Sequence, residues 1–218
     1  MDALIIAAGY GSRLREISDS KPLTPVAGVP LLELGVRQAR AAGVERVVVV
    51  TGHHGVEVEK FLPSLSARVG IPVVSERVQH WSTPNGYSVV AGAAKIKGDY
   101  LLMMADHIFE TGILERLARQ GMKSRGVTLA IDRRIDNPLI DPEDATWVTT
   151  DADGRIEAIG KTIPQRNAVD CGAFLATPEL ALAIKAAIAE GKNGSLSDGM
   201  QRLADAGRAA TMDIGDAW

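Results

Sequence analysis

The sequence predicts an α/β fold: a doubly wound, mostly parallel, Rossmann-like sheet with a small β-hairpin lid region, in a single domain over residues 1–218. Apolar runs of strand length recur at 3–8, 46–51, 71–75, 100–105 and 127–131, and continuous runs of this kind are strands buried on both faces. Amphipathic stretches of helical length lie between them, the alternation expected around a parallel sheet. With 218 residues, 46% of them hydrophobic, the chain is long enough for a full α/β core.

The elements follow in order. After the first strand, residues 30–42 (PLLELGVRQARAA) carry apolar side chains at 31, 32, 36 and 39, a proline at the helix start and Gly43 just past the end. With the strand at 46–51 this completes one strand, helix, strand unit. Helices are also readable at 86–95 and 111–120. Past Asp132 the texture changes: TWVTTDADGRIEAIG reads as two short strands around an Asp153-Gly154 turn, a hairpin where the lid or substrate region begins. Pro178 opens a helix through Glu190, another covers 196–206, and 209–214 reads as a last strand.

Composition excludes several classes of function. The 24 Lys+Arg against 27 Asp+Glu leave a formal charge of −3, without the basic field that general nucleic-acid binding needs. The lone Cys171 forms no internal disulfide, the N-terminal MDALIIAAG lacks a basic leader, and no stretch approaches the roughly 20 apolar residues of a membrane span. The expected location is the cytoplasm, with no membrane segment in this chain.

The first strand runs into Ala8-Gly9-Tyr10-Gly11-Ser12-Arg13, where glycines let backbone N–H groups cradle an anion at the mouth of the sheet. Leu14 stands where a dinucleotide fingerprint needs its third glycine, and no Gly-Lys-Ser/Thr completes a P-loop. What remains is a glycine turn with Arg13 beside it and Lys21 eight residues on, two cations suited to a polyphosphate. Asp106, in YLLMMADHIFE, directly follows a buried strand, at the sheet edge where open α/β proteins bind ligands. A carboxylate there suits Mg²⁺, which takes one or two carboxylates plus substrate phosphates; taken alone, it would equally cap the next helix. His107 either contacts substrate phosphate or packs, and His53, His54 and His80 read as ordinary loop residues.

LIIAAGYGSRL followed by SKPLTPVAGVPLLE resembles the signature of the sugar-nucleotidyltransferase superfamily, A-A-G-x-G-S/T-R-L with a downstream K-P-L. The NGYS at 85–88 and the ADH at 105–107 are similar to the cytidylyltransferases acting on inositol 1-phosphate, and DATWVTTDADGRIEAIGK, NAVDCGAF and SLSDGMQRLA extend the likeness along the chain. The resemblance implies a GT-A-type nucleotidyltransferase fold and a Mg²⁺-dependent enzyme. It implies that the loop backbone at Ala8, Gly9, Gly11 and Ser12 holds CTP, that Arg13 and Lys21 neutralise the leaving pyrophosphate, and that Asn85 and Gly86 lie at the nucleobase. Lys161 then approaches the acceptor phosphate, and Asp106 holds the metal. Asp170 is either an acceptor ligand or a partner for a loop hydrogen bond.

The reaction this implies is CTP + inositol 1-phosphate → CDP-inositol + pyrophosphate. Phosphocholine and hexose 1-phosphates are alternative acceptors, although nine aromatic residues supply a choline cage poorly. A non-catalytic regulatory subunit is the alternative of another class; loss of Arg13, Lys21 or Asp106 would favour it, and all three are present. The family commonly continues past Gly-x-x-Trp into W-x-D-V-D-T-P-E-D, whose aspartates complete the metal site. Here the sequence stops at Gly215-Asp216-Ala217-Trp218; Asp213 and Asp216 precede the tryptophan and neither matches the missing ligand by position, so the expectation is a shortened catalytic domain whose natural chain continues into a membrane-bound transferase, a frayed terminus being the one way for Asp216 to reach the site.

Overall fold

A computed structural model describes residues 1–10, 20–110, 112–120 and 125–218. In chain order the elements are β1 (Asp2–Ala7), a 3-10 turn (Lys21–Leu23), β2 (Pro25–Val26), β3 (Val29–Pro30), α1 (Leu31–Ala41), β4 (Arg46–Thr51), α2 (Gly55–Val69), β5 (Val73–Arg77) and α3 (Asn85–Ala93). Then follow β6 (Tyr100–Met104), α4 (Ile113–Gln120), β7 (Val127–Asp132), β8 (Trp147–Thr150), β9 (Ile156–Gly160), β10 (Ala168–Ala176), α5 (Pro178–Ala189), α6 (Leu196–Asp205) and β11 (Ala209–Asp213).

The main sheet has nine strands, seven of them in the order β11-β7-β10-β6-β1-β4-β5, with β8 and β9 carried on β10. β5, β4, β1 and β6 pair in parallel, as do β7 and β11. β10 is antiparallel to both neighbours and joins the two parallel groups. The apolar runs at β1, β4, β6 and β7 are buried on both faces because helices cover both: α1, α2 and α4 supply Val36, Leu62 and Leu117 to one core, and α3, α5 and α6 supply Val89, Ile184 and Met200 to the other. Burying each such side chain contributes roughly 1.5–3 kcal/mol, which makes these two layers the frame for everything at the strand ends. Glu33 is buried on α1, yet it is bound by Arg37 on its own helix and by Arg68 of α2 at 2.7 Å, and those bonds hold its carboxyl below the usual range against the opposing cost of burial.

The structure departs from the sequence reading in three places. β5 begins two residues later than the apolar run at 71–75 and is an edge strand, with Val73 buried but Val74 exposed, so it is not buried on both faces. α2 was not anticipated: its buried Val58, Leu62, Leu65 and Val69 keep helical spacing, but Pro63 interrupts the pattern. The hairpin β8–β9 exists around the expected turn, with Asp151 Oδ1 accepting the N–H groups of Asp153 and Arg155. It is not a free lid: β8 pairs with β10, and the turn is fastened to β11 where Thr211 donates to the Gly154 carbonyl.

Candidate active site

The site forms where β1 and β6 end side by side. Their ladder runs on to Ala105, whose N–H donates to the Ile6 carbonyl at 3.1 Å, so Asp106 is the first residue released from the sheet. Lys21 is brought opposite by the 3-10 turn, which buries Pro22 beneath it. The Lys21 ammonium donates to Asp106 Oδ2, and His107 Nδ1 lies 2.8 Å from Oδ1. Burial alone would raise the Asp106 carboxyl; His107 and Lys21 outweigh it and hold the group well below the usual carboxylate range. Burial likewise pulls His107 down, while its bond to Asp106 and the charge of Asp170 raise it above its ordinary value.

Two cavities meet at Asp106. The smaller, about 190 Å³, is walled by the β1 end (Ile6, Ala7, Gly9), by Lys21 and Pro22, and by Trp81, Thr83 and Ser88. The larger, about 530 Å³, holds His107, Asp141, Asp144, Lys161 and Asp170. Asn85, Met104 and Asp106 line both. A still larger, shallow hollow of about 760 Å³ between α4, the hairpin turn and β11 contains none of the predicted site residues. Two of its arginines are committed to the fold, Arg116 to the carbonyls of Asp213 and Ile214 and Arg133 to the Asp213 carboxylate.

In the larger cavity, Lys161 leaves the end of β9 and its Nζ lies 3.4 Å from Asp144 Oδ1 and 3.5 Å from the Glu143 carbonyl. Asp170 starts a bulge in β10, where the register against β7 shifts before Phe174. Its Oδ1 accepts the Gly172 N–H at 2.7 Å, and burial pushes its carboxyl up to about 6. Gly172 has φ +76°, and a Cβ there would lie 2.8 Å from the His107 ring. The bulge therefore presses the imidazole against Asp106 and needs glycine to do so.

The site thus has a carboxylate at a strand end, a lysine on each side and two adjoining cavities. The MobA-like NTP transferase domain family matches residues 3–154. This chain belongs to that family. The chain is 39% identical over 176 residues, 79% of its length, to a protein of Rubrobacter xylanophilus named bifunctional IPC transferase and DIPP synthase, and 30% identical over 90% of its length to a protein of that name from Aquifex aeolicus. It spans 38% and 44% of those relatives. It is also 34% identical, over 94% of its length, to a Streptomyces rubellomurinus protein named CMP-5'-(3-aminopropyl)phosphonate synthase, of which it spans 32%. Among solved structures, the inositol-1-phosphate CTP transferase from T. maritima superposes over all of the chain and 86% of its own, with TM-score 0.85 and 25% identity. A UDP-glucose pyrophosphorylase bound to UDP-glucose shares the fold at TM-score 0.77 and 20% identity, over all of this chain and 92% of its own.

The structure brings Gly9, Lys21, Asn85 and Asp106 to one cavity, and Asn85, Asp106, Lys161 and Asp170 to the next. Gly11, Ser12 and Arg13 lie outside the described residues. Ala8 is buried with its carbonyl accepting the His53 N–H, so it supports the loop from beneath. Gly86 does not face either cavity: a Cβ on it would lie 2.3 Å from the Gly194 carbonyl oxygen, and its role is to let α3 pack on the loop before α6. Asn85 Oδ1 accepts the Leu196 N–H in the same contact. Asp216 is not frayed into the site: Arg134 donates to the Asp216 and Ala217 carbonyls, and Trp218 exchanges hydrogen bonds with Glu110. Among the described residues no group of three His, Cys, Asp or Glu side chains could hold a metal. Asp106 offers a hard carboxylate donor where the two cavities meet, which fits Mg²⁺ bound jointly with substrate phosphates, provided Lys21 yields its oxygen.

Sequence reasoning missed two groups. Asp144, which holds Lys161, opens the DATWVTTDADGRIEAIGK segment quoted for the likeness, but was not singled out as a site residue. Tyr10, His53 and Trp81 form an aromatic cluster at the mouth of the smaller cavity. The signal was available, because each lies just past the carboxyl end of a parallel strand, the same position that singled out Asp106.

Proposed function

We propose that this chain transfers CMP from CTP to inositol 1-phosphate, giving CDP-inositol and pyrophosphate. The observation that carries the reading is the pair of cavities meeting at Asp106, with Lys21 on one side and Lys161 on the other. The inositol-1-phosphate CTP transferase fold and the relatives named IPC transferase support the choice of substrates. The reading includes the cytoplasm as the site of action; no helix among the described residues is long and apolar enough to cross a membrane.

The chemistry needs no general base. A phosphomonoester with its second pKa near 6 is largely dianionic at neutral pH and is already a nucleophile. Its oxygen bonds to the α-phosphorus while the bond to the β-phosphate oxygen breaks, and the electron pair leaves with pyrophosphate. Lys161, held by Asp144, steadies the acceptor phosphate; Lys21 and Arg13 neutralise the leaving group. Mg²⁺, when bound at Asp106, would supply further neutralisation of phosphate charge.

The carboxylates of Asp141, Asp144 and Asp170 favour one second reading of the acceptor, an aminoalkylphosphonate whose ammonium they would take up. One assay separates the two: pyrophosphate release from CTP, UTP, ATP and GTP against inositol 1-phosphate, 3-aminopropylphosphonate, phosphocholine and glucose 1-phosphate. CTP with inositol 1-phosphate should give the highest kcat/KM. A preference for the aminophosphonate would replace the acceptor, and no release with any pair would leave the regulatory-subunit reading standing.

A further inference from the structure

Trp81 lines the smaller cavity, the rings of Tyr10 and His53 pack on it, and the reaction outlined above uses none of the three. They arrive on three loops, after β1, β4 and β5. The Tyr10 and Trp81 rings are parallel within 8° at 5.7 Å between centroids, and His53 stands edge-on to both, 4.7 Å from each. Gly52 permits the packing: a Cβ on it would lie 2.6 Å from Trp81 Cβ and 2.7 Å from the Ala8 carbonyl oxygen. The indole is thus fixed in orientation, and it still keeps 36% of its surface exposed.

We infer that Trp81 is the platform on which the nucleobase stacks, with Tyr10 and His53 as positioning residues that hold the indole. The inference rests on the cytidylyltransferase reading, and its logic is positional. The acceptor enters on the Lys161 side, so the α-phosphorus must stand where the two cavities meet, at Asp106. The ribose and base then extend into the part of the smaller cavity that the acceptor does not share. Among the described residues lining that cavity, Trp81 is the only aromatic one. A base has a flat π-face, and an indole already backed by a parallel phenol offers one in return.

The test titrates the full chain with CTP and, separately, with inorganic tripolyphosphate, following tryptophan fluorescence and heat. CTP should quench the fluorescence and tripolyphosphate should not, and Trp81→Phe should remove the quench while keeping the affinity within a few fold. Trp81→Ala should bind CTP roughly 5- to 150-fold more weakly, the loss expected for one base stack, with tripolyphosphate binding unchanged. Tyr10→Leu should raise the KM for CTP and leave kcat and the KM for the acceptor in place. Equal weakening of CTP and tripolyphosphate in Trp81→Ala, or CTP binding indifferent to Trp81, overturns the inference and leaves the transferase reading intact. A wild-type chain that binds CTP no better than tripolyphosphate and releases no pyrophosphate overturns both.

Discussion

On the side of β5, β4, β1 and β6 every strand points the same way, and the functional groups stand in the first loop positions past the strand ends. On the side of β7 and β11 the antiparallel β10 is wedged in, and the groups arrive from a bulge (Asp170), the end of a hairpin strand (Lys161) and a turn (Asp144). The first arrangement fixes position through a buried sheet, so a change of side chain there alters charge and leaves geometry alone. The second fixes position through backbone irregularity, so residues that touch no substrate govern how the acceptor is held.

Asp106→Asn tests the first half most severely. The amide keeps the shape and removes the charge, so pyrophosphate release should fall by on the order of 10²–10³ or more while the melting temperature stays near that of the wild type. A near-normal rate would remove Asp106 from the chemistry. Lys21→Met comes next: turnover should drop about 10²-fold, yet Mn²⁺ should bind more tightly in the absence of nucleotide, because the ammonium no longer occupies Asp106 Oδ2. Unchanged Mn²⁺ affinity, measured by paramagnetic resonance, would show that the pair does not compete with a metal.

Gly172→Ala probes the second half without removing a charged group. The residue would need φ +76° and would push on the His107 ring, costing about 1–3 kcal/mol of stability and raising the KM for the acceptor about tenfold, with the KM for CTP within twofold. Equal effects on both substrates would merge the two regions into one mechanical unit. The smallest effect on turnover is expected from Asp170→Asn, whose side-chain oxygen still accepts the Gly172 N–H. Burial raises the Asp170 carboxyl from 3.8 to about 6, so the native state holds this proton to higher pH than the unfolded chain does. Stability from this group therefore falls as pH rises from about 4 to about 6 and stays lower above. Urea melts at pH 5 and pH 8 should show that decline in the wild type and a smaller one in the variant, a difference of at most about 1.4 kcal/mol.

The same contrast explains what the sequence revealed. Lys21 and Asp106 were legible because a glycine turn, a K-P-L and an apolar strand ending in aspartate are each local patterns, and the parallel sheet brings their ends together by rule. Lys161 and Asp170 were readable through resemblance, but the contacts that position them were not: Asp144 lies 17 residues from Lys161, and the Gly172 bulge follows from β10 fitting between two strands. The Tyr10, His53 and Trp81 cluster escaped because no single segment contains it. Gly86 also packs α3 closely on the loop at 194–195, a contact set far along the chain that its motif does not show.

β10 is made after both of the strands it separates, and it is the sole link in the sheet between β6 and β7. The four parallel strands that carry Asp106 contact one another without it, whereas the acceptor cavity takes Val169, Asp170, Gly172 and Phe174 from β10 itself. Until that strand inserts, β6 presents an open edge to any chain that offers a partner. Closing the gap brings together segments more than sixty residues apart, the kind of long-range pairing that slows folding. On refolding, pulse-labelled hydrogen exchange should therefore protect the amides of β1 and β4 ahead of those of β10 and β7.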